Sequence, residues 1–71
     1  MDKDTKLLNL ALDAGEIMLM SGAETHRVQD TMLRILSVRG PQKIEALARS
    51  TILLVGLHRN ETGPLTVVSC V

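Results

Sequence analysis

The chain changes its hydrophobic period once, at Gly40-Pro41, and that change limits the folds open to it. Before this point apolar residues recur every three or four positions, the spacing that lines one face of an α-helix. After it come short runs rich in β-branched and aliphatic residues, bounded by turn-forming residues, which is how strands read. A chain of this kind folds as helices first and a sheet second.

From Leu7 the apolar residues fall at Leu7, Leu10, Ala11, Ala14, Ile17 and Met18, and Leu8, Leu12 and Leu19 widen that stripe. Asn9, Asp13 and Glu16 are left for the wetter side, so this first helix needs cover on more than one flank. Asp4 or Thr5 is placed to cap its start. Ser21-Gly22 ends it, because glycine enters the left-handed conformation that closes a helix at little steric cost.

A second helix begins between Ala23 and Thr25. Its apolar stripe is Val28, Met32, Ile35 and Leu36, with Glu24, Arg27, Asp30 and Arg34 on the polar side. Gly40-Pro41 stops it, since proline disfavours a helical residue before it and has no backbone N–H to donate.

Beyond Pro41, Lys43 to Arg49 partly alternates apolar and polar residues, and Thr51 to Leu57 is a β-branched and aliphatic run. Asn60-Glu61-Thr62-Gly63-Pro64 is a turn signal, and Leu65 to Val71 favours another strand. Ile52 to Arg59 and Leu65 to Val71 are expected to pair as a hairpin. A competing reading makes Gln42 to Leu57 one helix, because Glu45-Ala46-Leu47-Ala48 has good helix propensity; Thr51-Ile52 and Gly56 speak against it. The expected class is α+β: two amphipathic helices followed by a small antiparallel sheet of about three strands, in a single partial domain spanning residues 1–71.

Composition removes several function classes. Seventy-one residues without Phe, Tyr or Trp must build their core from aliphatic side chains and methionine, which bury less area per residue than aromatics. Eight basic and eight acidic residues cancel, so no phosphate-rich partner is indicated and no nucleic acid is expected. A helix-turn-helix DNA-binding regulator could use Arg27, Gln29 and Arg34, but Glu24 and Asp30 share that surface, which ranks this reading low. The N-terminus lacks the basic region and unbroken apolar run of a signal peptide. The longest apolar stretch, Ile52 to Leu57, is far short of the roughly 20 residues that span a bilayer.

No catalytic residue, cofactor site or metal site is indicated. His26, His58, Asp30 and Cys70 lack the tight spacing of a metal centre, and a cysteine beside the C-terminus is poorly placed to be held against a base. Asn60-Glu61-Thr62 matches a glycosylation acceptor but reads better as turn chemistry.

The residues with the most specific pattern lie at the helix junction: Leu10-Ala11-Leu12-Asp13-Ala14-Gly15-Glu16, then Ser21-Gly22-Ala23-Glu24-Thr25-His26-Arg27-Val28-Gln29-Asp30-Thr31-Met32. This stretch resembles the opening of the bacterial threonine/serine exporter family. There, a helix ends in a small-Gly-Ala-Glu-Thr turn and the next begins Arg-Val-Glu. Gln29 stands where an acidic residue is common in that family.

The resemblance covers residues 7–40 well and extends to the strand-rich remainder. It implies the cytosolic N-terminal domain of a membrane transporter that exports small hydroxy amino acids or other small metabolites, driven by an ion gradient. In some members the machinery is split over two chains. The expected partner is therefore a transmembrane exporter domain or partner subunit at the cytoplasmic face of the membrane, and the chain is expected to be truncated relative to a whole transporter. Gly22, Glu24, Thr25, Arg27 and Asp30 are the family-motif residues that could form a docking surface. Backbone geometry at Gly22, capping by Glu24 or Thr25, and surface ion pairs of Arg27 with Glu24 and Asp30 account for the same residues without docking. A homo-oligomeric interaction module, joined through a sheet edge or the first helix, is the alternative.

Overall fold

A computed structural model describes residues 3–40, 43–59 and 63–70. Its elements run α1 (Lys3–Met20), α2 (Thr25–Ser37), β1 (Lys43–Ala48), β2 (Ile52–Arg59) and β3 (Gly63–Cys70). The strands form one antiparallel sheet in the order β1-β2-β3. The architecture is the expected α+β arrangement, two helices laid on one face of a three-stranded sheet.

The segment 43–57 is strand rather than helix, and β2 shows why. As the central strand it buries Leu53, Val55 and Leu57 against the helices, and branched side chains such as Val55 suit a pleated, packed surface better than a helix. In β1, Ile44, Ala46 and Ala48 turn toward the same core while Lys43, Glu45 and Leu47 turn away. The two strands join through residues 49–51, where the Arg49 N–H donates to the Ile52 carbonyl at 2.9 Å.

Leu8, Val28, Met32, Leu36, Leu53 and Val55 are fully buried, with Leu7, Ala11, Leu12, Ala48 and Leu57 around them. Each such aliphatic side chain contributes about 1.5–3 kcal/mol by leaving water. The core is thus spread evenly over α1, α2 and β2, the dispersal an aromatic-free chain requires. Gly15 lets the layers close: a β-carbon there would lie 2.7 Å from Met32 Sδ and 3.3 Å from Leu53 Cδ1.

Four local expectations are corrected. Helix α1 starts at Lys3, so Asp4 sits inside its first turn, buried, and is not its cap. Leu10 and Ile17, expected on the buried stripe, are 57% and 67% exposed, because the face that meets α2 and the sheet is centred on Leu8, Ala11, Leu12 and Gly15. Gly63-Pro64 lies within β3 rather than in the preceding turn. Proline is tolerated there because β3 is an edge strand, where an N–H turned away from the sheet has no ladder partner to lose. The first of the expected strands stops at Ala48, one residue early. Residues 60–62 of the expected turn, and with them the Asn60-Glu61-Thr62 acceptor pattern, lie outside the described residues, as do Pro41 and Val71.

Candidate functional site: the helix junction and the exposed faces

The junction is built by the backbone. The Ala23 N–H donates to the Met18 carbonyl at 3.0 Å, and the Gly22 N–H to the Leu19 carbonyl at 3.0 Å. These two bonds satisfy carbonyls that α1 leaves unpaired at its end, the pattern of a Schellman closure. It needs a left-handed residue at its fifth position, and Gly22 supplies φ 88°. Met18 and Ala23 then both pack against the core, completing the apolar contact that accompanies this motif.

Glu24 occupies the N-cap position of α2 with extended backbone (φ −70°, ψ 145°), and its carbonyl accepts from the N–H groups of Arg27 and Val28 at 3.0 and 3.1 Å. Its side chain makes no capping bond. The carboxylate instead faces His26 Nδ1 at 3.5 Å, both side chains being largely exposed. Capping by hydrogen bond is therefore corrected to a charge placed near the positive end of the helix, worth about 0.3–1 kcal/mol. Thr25 opens α2 and is exposed. Arg27 and Asp30 project from its solvent side and form no ion pair among the described residues, so the expected network of Glu24, Arg27 and Asp30 is replaced by the Glu24–His26 contact. Gly22, Glu24, Thr25, Arg27 and Asp30 are each exposed, in the junction and along the first turns of α2.

Gln29 has a use that its sequence position does not reveal. Its Oε1 accepts the Ala48 N–H at 2.9 Å, fastening α2 to the end of β1. The contact requires only an acceptor oxygen, which a carboxylate would supply equally well.

Sequence reasoning also missed a cross-fold clasp. Arg59 Nε donates to Asp4 Oδ2 at 2.7 Å, and Arg59 Nη2 to the Arg39 carbonyl at 3.3 Å. Two open apolar areas complete the picture: Leu10, Ile17 and Met20 on α1, and Leu47, Ile52 and Val68 on the sheet face turned away from the helices. Among the described residues no group of three or more His, Cys, Asp or Glu side chains gathers where it could hold a metal ion. None of their helices is long and apolar enough to cross a membrane.

The family model described as Putative threonine/serine exporter matches residues 9–71. The chain belongs to this family. The match enters within α1 and runs through α2 and all three strands, so it extends well beyond the junction and takes in the sheet. Compared with curated proteins and with solved structures, the chain has no match in either. As a threonine/serine exporter family member it has its place among membrane transporters.

Proposed function

We propose that this chain acts outside the bilayer as the cytosol-facing, non-catalytic cap of a threonine/serine exporter-like transporter. In this reading it takes part in amino-acid or small-metabolite export only together with a transmembrane domain or partner subunit. The observation that carries the reading is the family match over residues 9–71 in a chain whose described helices include none able to span a membrane.

The exposed residues Gly22, Glu24, Thr25, Arg27 and Asp30 are proposed as the docking surface. It is rigid, because the Schellman closure fixes the chain direction between the helices. Its charges are accessible, and the Glu24–His26 contact beside it is exposed and cheap to exchange for a new partner. The open side of α1, with Leu10, Ile17 and Met20, adds apolar area that association would cover.

Co-expression with a transmembrane exporter subunit from the same genome tests this. The chain should fractionate with membranes only when that subunit is present, and threonine efflux should need both. Arg27→Glu and Asp30→Lys should each reduce co-fractionation several-fold while leaving the folded chain unchanged. If the chain stays in the supernatant and efflux is the same with or without it, the cap reading is lost.

A further inference from the structure

The two edges of the sheet are finished differently. Strand β1 has six residues, carries Lys43 and Glu45, and its last N–H, at Ala48, is already taken by Gln29 Oε1 at 2.9 Å. Charges and a side-chain acceptor of this kind keep an edge from pairing with another strand. Strand β3 has eight residues, no Lys, Arg, Asp or Glu, and the branched Thr66, Val67 and Val68 along its middle. None of its residues is buried: even Leu65 and Val67, packed against the core, stay only half-covered, because α1 rests mainly on β2 and reaches β3 less.

The hydrogen-bond phase of the sheet fixes which groups of β3 are open. The Ala48 N–H points to Gln29, and the Arg49 N–H closes the hairpin on the Ile52 carbonyl, so Ala48 and Leu53 face each other without ladder bonds. Leu53 therefore turns its backbone groups to Ser69 of β3. By alternation Leu65, Val67 and Ser69 bond to β2, while Thr66, Val68 and Cys70 present their N–H and carbonyl groups to the open edge. Pro64 shares that outward phase, so its missing N–H leaves the ladder intact and guards only one end of the edge.

We propose that the outer edge of β3 pairs with the same edge of a second copy of this chain, antiparallel about a two-fold axis at Val68, joining two three-stranded sheets into one of six strands. In this register Val68 meets its own counterpart and Thr66 meets Cys70, which gives about six backbone hydrogen bonds without calling on Pro64. The register partners Leu47, Leu54 and Val68 form an apolar row across the outer face, and the two-fold makes that row continuous through both copies. An axis at Val67 would instead set Val68 against Thr66 and leave each Cys70 carbonyl facing a proline with no N–H to give. No charge opposes the approach, since β3 has none and the chain is neutral overall. A small chain with a thin core also gains stability by covering such an edge. The contact uses none of the junction residues, so it stands or falls apart from the cap reading.

Sedimentation equilibrium of the chain from micromolar to millimolar concentration tests this, and a monomer–dimer equilibrium is expected. Over the same range amide hydrogen exchange should slow at Thr66, Val68 and Cys70, while the outward amides of β1, at Ile44 and Ala46, keep their rates. Val68→Lys sets two like charges opposite each other and should weaken the dimer about tenfold; Thr66→Lys, with Cys70 opposite, should weaken it less. Both side chains are exposed, so the circular dichroism of either variant should match the parent. Leu47→Lys, on the same face but at the β1 edge, should leave the dimer intact. A folded chain that stays monomeric at millimolar concentration would overturn the proposal and leave the edge to a strand of a different protein. A dimer that survives Val68→Lys, or that Leu47→Lys weakens as much, would overturn it too, because the copies would then meet elsewhere or face to face.

Discussion

Arg59 Nε meets Asp4 Oδ2 at 2.7 Å, tying the last residue of β2 to the first turn of α1 across 55 positions of sequence. Both side chains are mostly shielded from water, at 29% and 13% exposure, and Arg59 also donates to the Arg39 carbonyl beyond the end of α2. One guanidinium thereby holds three parts of the fold. In a small aliphatic core this matters more than it would in a larger domain, because total stability is only a few kcal/mol. Asp4→Ala and Arg59→Ala are each expected to cost about 1–3 kcal/mol, and the double variant less than their sum. For a domain of this length that lowers the thermal midpoint by about 4–8 °C per kcal/mol, measurable by circular dichroism. Strictly additive losses would show that the two side chains do not act as a pair. Arg59→Lys should recover only part of the loss, since an ammonium cannot reach both acceptors with the planar geometry of a guanidinium.

Gln29 separates acceptor chemistry from charge. Gln29→Ala leaves the Ala48 N–H without its partner at the edge of the core and should destabilise the chain by about 1 kcal/mol. Gln29→Glu keeps the acceptor and should match or exceed the parent. Equal loss in both variants would mean that the amide NH₂ group, not the oxygen, is what the position needs.

Gly22 is constrained by its φ of 88°, where nothing crowds a β-carbon but the backbone itself disfavours one. Gly22→Val should cost about 1–2 kcal/mol, and Gly22→Asn less, since asparagine tolerates the left-handed region. Unfolding midpoints equal to the parent in the valine variant would show that the junction does not depend on the Schellman closure.

Gly15 is constrained by space instead. A methyl at this position gains helix propensity of about 1 kcal/mol but must displace Met32 Sδ, inside a buried yet adaptable side chain, at a cost of similar size. Gly15→Ala should therefore be close to neutral. Gly15→Val, whose branches also press on Leu53, should destabilise by about 1–3 kcal/mol through overpacking. Denaturant midpoints for the pair check this, and a neutral valine variant would indicate slack between the layers.

The sequence by itself determined the order of elements, because period and punctuation are local properties. The stripe of Val28, Met32 and Leu36, the stop at Gly22 and the strand runs on either side of residue 60 all act within a few residues of themselves. It also carried the family, through the junction from Ser21 to Met32 and the residues before it. Which side of α1 is buried was beyond it: with leucines on nearly every side, only the positions of α2 and β2 decide that Leu8 is enclosed and Leu10 is not. The Asp4–Arg59 clasp and the Gln29–Ala48 link were equally out of reach. Each joins residues from different elements, and strand register and helix rotation, which no local pattern encodes, bring them together.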